Sequence, residues 1–209
     1  MPDTVDPDDL RQRLRAARRN LSALERQDAA TAVARRVAVW PLFGEVQRIA
    51  GYWACNGELD PTPLLEVAWA ANKAVYLPVV VDTPFRSLRF APYRAGLPLR
   101  RNRFKIPEPD VAPSEWLAPE QLELVLVPLV AFDAAGTRFG MGGGFYDRSF
   151  AFLRDSRYRG HQPLLLGLGY EFQKSVEPLR RQPWDVPLNG VATEVALEVF
   201  GRTGAMERG

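Results

Sequence analysis

Apolar positions change period along this chain, and each change marks an element. Leu10, Leu14, Ala17 and Leu21 recur at helical spacing. They follow Asp6-Pro7-Asp8-Asp9, where Asp6 caps, Pro7 suits the first turn and the acids face the positive end of the helix dipole. Ser22-Ala23-Leu24-Glu25 is a capping-box pattern, so a second helix starts there and runs to about Val39, where Pro41 stops it. The segment "VQRIAGYWA" at 46–54 predicts a first strand. Asp60-Pro61 opens another helix, with Leu64, Leu65, Ala68 and Trp69 on its buried face. "AVYLPVV" and "LRFAPY" predict two more strands, and the proline- and arginine-rich residues 92–120 predict a long loop with little regular structure. The run "LELVLVPLV" at 122–130 is apolar at nearly every position, as in a central strand buried on both faces. "PLLLGLGY" predicts a second buried strand, and "VATEVALEVF" ends in a strand. Between the two buried strands lie a glycine-rich loop and a helix over about 145–153.

Strands that alternate with helices predict an α/β fold: a mostly parallel sheet with helices on both faces. No repeat, linker or low-complexity tract interrupts it, so residues 1–209 read as a single domain. Hydrophobic residues make up 46% and charged residues 25%, enough apolar surface for a core and against wholesale disorder. Cys55 is the one cysteine and His161 the one histidine, which argues against a disulfide, a zinc site or a histidine triad within one chain. The acidic N-terminus is unlike a secretory signal, and no apolar run approaches the ~20 residues of a membrane span. A cytoplasmic location with no membrane partner is therefore expected.

Five glycines crowd the nine residues 136–144, directly before Phe145, Tyr146, Asp147 and Arg148. Glycines between a buried strand and a helix let backbone N–H groups approach an anion at the carboxyl end of a parallel sheet. Gly140, Gly142, Gly143 and Gly144 are thus a candidate phosphate cradle, with an ordinary turn as the equal alternative. The Lys-Ser/Thr pair of a P-loop is missing. A carboxylate beside a phosphate cradle needs a cation between the two, which makes Asp147 a candidate magnesium ligand. The competing explanation is a first-turn carboxylate that serves the helix dipole. Asp185, in "QPWDVPL", is a second acid, or an ordinary turn aspartate. Arg11, Arg15 and Arg18 share one face of the first helix, either as a phosphate clamp or as a solvated basic face.

Together these segments resemble the 5-formyltetrahydrofolate cyclo-ligase family. "FDAAGTRFGMGGGFYDR" at 132–148 is similar to the family signature: an arginine, a glycine-rich run and an aromatic-Tyr-Asp. "RQRLRAARRNL", "YWACNGELD", "VLVPLVAFD" and "QPWDVPLNGVATE" agree in order and spacing, so the resemblance spans nearly the whole chain. The chain departs from it at Gly143, where some relatives carry lysine, at Pro61 and at Phe145. The resemblance implies a three-layer fold of the type shared with sugar-phosphate isomerases and coenzyme A transferases. It also implies ATP- and Mg²⁺-dependent cyclisation of 5-formyltetrahydrofolate to 5,10-methenyltetrahydrofolate. On that basis Arg11, Arg15, Arg138 and residues 140–146, Met141 and Phe145 included, bind ATP. Asp147 and Asp185 hold the metal, and Trp53, Glu58, Phe104 and Tyr146 meet the folate. Arg138, Tyr146 and Asp147 are the candidate catalytic residues. Phe104 has an alternative as a loop anchor, and of the neighbouring Tyr52 and Trp53 one is expected in the core and one at the pocket. Cys55 and His161 are assigned no role.

Two other functions compete. An isomerase or acyl-CoA transferase would use the glycine loop for a single phosphate, but the paired acids and basic helix suit a metal-bound triphosphate better. A nucleic-acid module would use the arginine helix, but the net charge of +2 and the N-terminal acids speak against it. The expected partners are ATP and a reduced folate, bound by a monomer with no nucleic acid.

Overall fold

The computed structural model describes residues 6–81 and 86–200. The first five residues of the acidic N-terminus and the last nine of the expected domain lie outside them. In chain order the helices are α1 (Pro7–Asn20), α2 (Ala23–Ala38), α3 (Pro41–Glu45), α4 (Thr62–Ala70) and α5 (Phe145–Ser149). The strands are β1 (Arg48–Ala50), β2 (Ala74–Val81), β3 (Ser87–Pro92), β4 (Leu99–Arg101), β5 (Pro107–Pro109), β6 (Leu124–Pro128), β7 (Ala131–Phe132), β8 (Arg138–Phe139), β9 (Leu164–Leu168), β10 (Gly190–Ala192) and β11 (Leu197–Val199).

Local chemistry starts the first two helices as expected. Asp6 Oδ1 accepts from the N–H of Asp8 at 2.9 Å. Ser22 and Glu25 complete a reciprocal capping box, with bonds of 3.2 and 2.7 Å. Seven strands form one sheet in the order β11-β10-β9-β6-β1-β2-β3. The five inner strands are mutually parallel, and the two edge strands are antiparallel to their neighbours. The central strand is β6, and Leu124, Val125, Leu126 and Val127 have no exposed surface. Leu124 and Leu126 face a core built with α2 and α4, and Val125 and Val127 face a second core that holds Phe150. This two-sided burial is why the run lacks the apolar–polar alternation of a half-exposed strand.

Three expectations need correction, and the one about Pro41 holds but is incomplete. The strand expected over 46–54 has only three residues, because the chain leaves the sheet after Gly51 and turns over its end. Pro41 opens α3 as well as ending α2, since proline is well suited to a first helical turn. Residues 92–120 contain the β4–β5 hairpin, and its side chains supply the order. Asn102 Oδ1 accepts the N–H groups of Phe104 and Ile106 at 2.8 and 3.1 Å, and Asn102 donates to the buried Glu108 at 2.8 Å. Finally, a β7–β8 hairpin lies between β6 and the glycine loop, and the helix after that loop ends at Ser149. Asp133 holds the hairpin turn by accepting from the N–H groups of Ala135 and Thr137. Ser149 donates to the Phe145 carbonyl, a back-bond that competes with the helix ladder, and a 3₁₀ turn follows at Ala151–Arg154.

Among the described residues, no helix is long and apolar enough to cross a membrane.

Candidate active site

A cavity of about 1670 Å³ opens where the chain leaves the carboxyl ends of β1, β2 and β6. Single drug-sized ligands occupy roughly 300–1,000 Å³, so this cavity has room for more than one.

The wall after β1 is a tight turn. Asn56 and Gly57 both take left-handed backbone, with φ of 52° and 74°, and the N–H of Glu58 donates to the Cys55 carbonyl at 3.0 Å. Glu58 folds back so that Oε2 accepts from the Cys55 N–H at 3.1 Å and lies 3.5 Å from its Sγ. Burial raises the proton affinity of the Glu58 carboxyl, opposed by the Cys55 N–H and by the charge of Arg18. Burial and Glu58 together push the Cys55 thiol up to about 11. Tyr52 is the core member of its pair, donating to the Leu59 carbonyl at 2.5 Å, and Trp53 is the exposed one. Both border the cavity.

The glycine loop forms the facing wall. Gly142 has φ of 91° and Gly144 φ of 61°, a conformation in which L side chains are strained. No neighbour within 4 Å would meet a methyl group at Gly140 or Gly142, so that side of the loop is open. Behind it, the half-buried Asp147 Oδ1 accepts from Arg138 at 2.8 Å and from the Val186 N–H at 3.0 Å. Arg138 also donates to the Val186 carbonyl. The arginine that the sequence assigned to ATP and to catalysis thus also locks the closing segment against α5. Asp185 follows that segment's turn, with Oδ2 accepting from the N–H of Gln182 at 2.7 Å. Burial and Glu58 hold the Tyr146 hydroxyl well above the usual phenol range, with Arg138 opposing.

The cavity gathers Arg11, Trp53, Glu58, Phe104, Arg138, residues 140–147 and Asp185. Met141 and Phe104 are exposed there, and Phe104 meets Phe145 edge to face at 5.7 Å. The anchor alternative for Phe104 therefore fails against the core but holds locally. Arg11 stacks over Phe139 at 4.9 Å and pairs with Asp8 at 2.8 Å. Arg15 is half-buried and lies outside the lining. Two residues outside the assigned site are drawn in: Cys55, given no role, and Arg18, read as part of a phosphate clamp or a solvated basic face. Cys55 lines the cavity beside Glu58, a position that its spacing of three from Glu58 across Asn-Gly would have disclosed. Arg18 has no exposed surface, donates to the Leu129 carbonyl at 3.0 Å and approaches Met141 Sδ at 3.9 Å. Its helical spacing showed the face, and nothing in the sequence showed the burial. His161 is exposed and does not line the cavity.

Among the described residues, no group of three or more His, Cys, Asp or Glu side chains could hold a metal unaided. Magnesium brought in on phosphates needs only one or two carboxylates, so Asp147 and Asp185 on one cavity fit such an ion.

A parallel sheet with a large cleft beyond its strand ends, walled by a glycine loop and a buried carboxylate, defines an α/β protein of the ligand-binding, enzyme-like class. The model of the 5-formyltetrahydrofolate cyclo-ligase family matches residues 3–194, and the chain belongs to that family of ligases. It is 37% identical over 180 residues to the 5-formyltetrahydrofolate cyclo-ligase of Escherichia coli (strain K12), which covers 86% of this chain and 96% of the relative. The Haemophilus influenzae protein of the same name is 36% identical over 179 residues, covering 86% and 92%. The NMR structure of Aquifex aeolicus 5,10-methenyltetrahydrofolate synthetase superimposes with a TM-score of 0.78 at 29% identity, covering 96% of each chain.

Proposed function

We propose that this protein converts 5-formyltetrahydrofolate and ATP to 5,10-methenyltetrahydrofolate, ADP and phosphate. The observation that carries it is one cavity, large enough for two substrates, with the glycine loop on one wall and the Glu58 turn with Trp53 on another.

A formyl oxygen is a poor leaving group. Transfer of the γ-phosphoryl group of ATP to it makes a good one. N10 of the folate then attacks the formyl carbon, gives up its proton, and the C–O bond breaks as phosphate leaves. The protein's task is to position groups and neutralise charge. The open side of the loop at Gly140 and Gly142 presents backbone to phosphate oxygens, helped by Arg11 and, one turn further, Arg15. Arg138 is held by Asp147 and the Val186 carbonyl, so its charge is fixed before substrate arrives. Tyr146, Phe104 and Trp53 offer flat walls to the pterin. Glu58 accepts from pterin N–H groups or places the formyl group. Asp147 and Asp185 would hold Mg²⁺ directly or through water, and the ion neutralises phosphate charge when bound.

The proposal includes a cytoplasmic monomer with no nucleic-acid or membrane partner, and a sheet of the type shared with sugar-phosphate isomerases and coenzyme A transferases. Its test is the absorbance of methenyl-folate formed from 5-formyltetrahydrofolate. Product is expected only with Mg²⁺ and ATP together. Equal product without ATP would overturn the mechanism.

A further inference from the structure

Arg18 is a wholly buried guanidinium that the steps above do not use. It lies near the C-terminal end of α1, where that helix meets the Cys55–Glu58 turn. A Cβ at Gly57 would lie 2.9 Å from the Arg18 carbonyl oxygen, so glycine is what lets the helix come this close. The side chain meets two parts of the cavity wall, and its charge reaches a third. Nη1 donates to the Leu129 carbonyl just beyond β6, Nη2 approaches Met141 Sδ in the glycine loop, and the charge acts on Glu58. Burying a guanidinium is costly unless its surroundings compensate, and its Nε has no hydrogen-bond partner. Replacing it with an apolar side chain would be a simpler way to pack a helix.

We infer that Arg18 is a positioning residue: it ties the Glu58 carboxylate on the folate wall to Met141 in the glycine loop, so that each substrate finds its own wall set by the same side chain. This assignment rests on the cyclo-ligase function proposed above. The groups that face Glu58 are Arg18 from α1, the Cys55 thiol from its own turn, and the hydroxyls of Tyr52 and Tyr146. Arg18 is the one cation in that set.

The test is a double-mutant cycle of Arg18→Met and Glu58→Gln, with KM for each substrate and the acid limb of kcat/KM read separately. Arg18→Met is expected to raise KM for both ATP and 5-formyltetrahydrofolate, each by about tenfold, as for loss of one charge-assisted contact. It should also move the acid limb to higher pH, because Glu58 loses its cation. In the Glu58→Gln background the folate effect should vanish and the ATP effect persist. Arg18→Lys, which keeps charge but not the planar fork, should hold the acid limb in place and recover part of the ATP loss, and it carries the test if Arg18→Met does not fold. A folate KM loss of equal size in both backgrounds, or an acid limb unmoved by Arg18→Met, overturns the positioning role. With Arg18→Lys as the only folded variant, an acid limb displaced as far as that of a Glu58 variant overturns it too. A wild-type protein that neither binds ATP by calorimetry nor makes product overturns the function itself, and the inference with it.

Discussion

Asp147 carries three duties that a sequence cannot separate. It sits in the first turn of α5, it accepts from Arg138, whose side chain is 6% exposed, and it borders the cavity. Asp147→Asn removes the negative charge opposite a buried guanidinium. Stability should fall by about 1–3 kcal/mol, more than a helix-dipole contact alone would cost. If Asp147 also serves Mg²⁺, turnover should collapse beyond what the stability loss explains, and added Mg²⁺ should recover part of it. Superimposable magnesium titrations of wild type and variant would remove the residue from the metal site. Glu58 makes a prediction of opposite sign. Its folded-state proton affinity is raised, with burial as the leading cause. Its contribution to stability is therefore complete below the ordinary carboxyl value of 4.5 and is lost as pH rises through the raised one. Glu58→Gln does not ionise. The stability of the variant relative to wild type should increase between acid and neutral pH, measured by urea unfolding, while turnover falls. A relative stability that declines with rising pH would show that the Arg18 charge outweighs burial.

At the scale of the element, α1 decides more than its spacing shows. Arg11, Arg15 and Arg18 are four and three residues apart and so share a face, but their environments differ. Arg11 borders the cavity, Arg15 is half-buried outside its lining, and Arg18 is enclosed. Arg11→Ala should raise KM for ATP by about tenfold or more, and Arg15→Ala by less, with KM for folate little changed in both. Equal effects on both substrates would return these side chains to a solvated basic face. The β4–β5 hairpin teaches the complementary lesson. Its strands are three residues each and lack an apolar alternation, so residues 92–120 read as loop. Their order comes from Asn102 and Glu108, whose side chains hydrogen-bond the hairpin backbone and the N–H of Val80. Phe104 reaches the cavity from the tip of that hairpin.

For the whole molecule, the central strand β6 joins the two cores, one against α2 and α4 and one that includes Phe150. Leu126 has no exposed surface, and Leu126→Ala should cost about 2–5 kcal/mol by urea unfolding. A loss well below that range would mean that the layer beside α2 and α4 collapses into the space. The sequence alone determined what local chemistry governs: the caps at Asp6 and Ser22, the fully apolar β6, the parallel α/β class, and the 132–148 signature with its glycine loop and Asp147. Of the residues that the resemblance assigned to the site, all but Arg15 line the cavity, because the motifs that carry most of them are contiguous. Tertiary structure alone decided which of the three arginines on one helix face is enclosed, and that Arg138 is locked to the Val186 carbonyl. The physical reason is the same in each case. Helical or strand period says which side chains share a face. What covers that face comes from chain far away, such as Leu129 and Met141 over Arg18, and only packing brings it there.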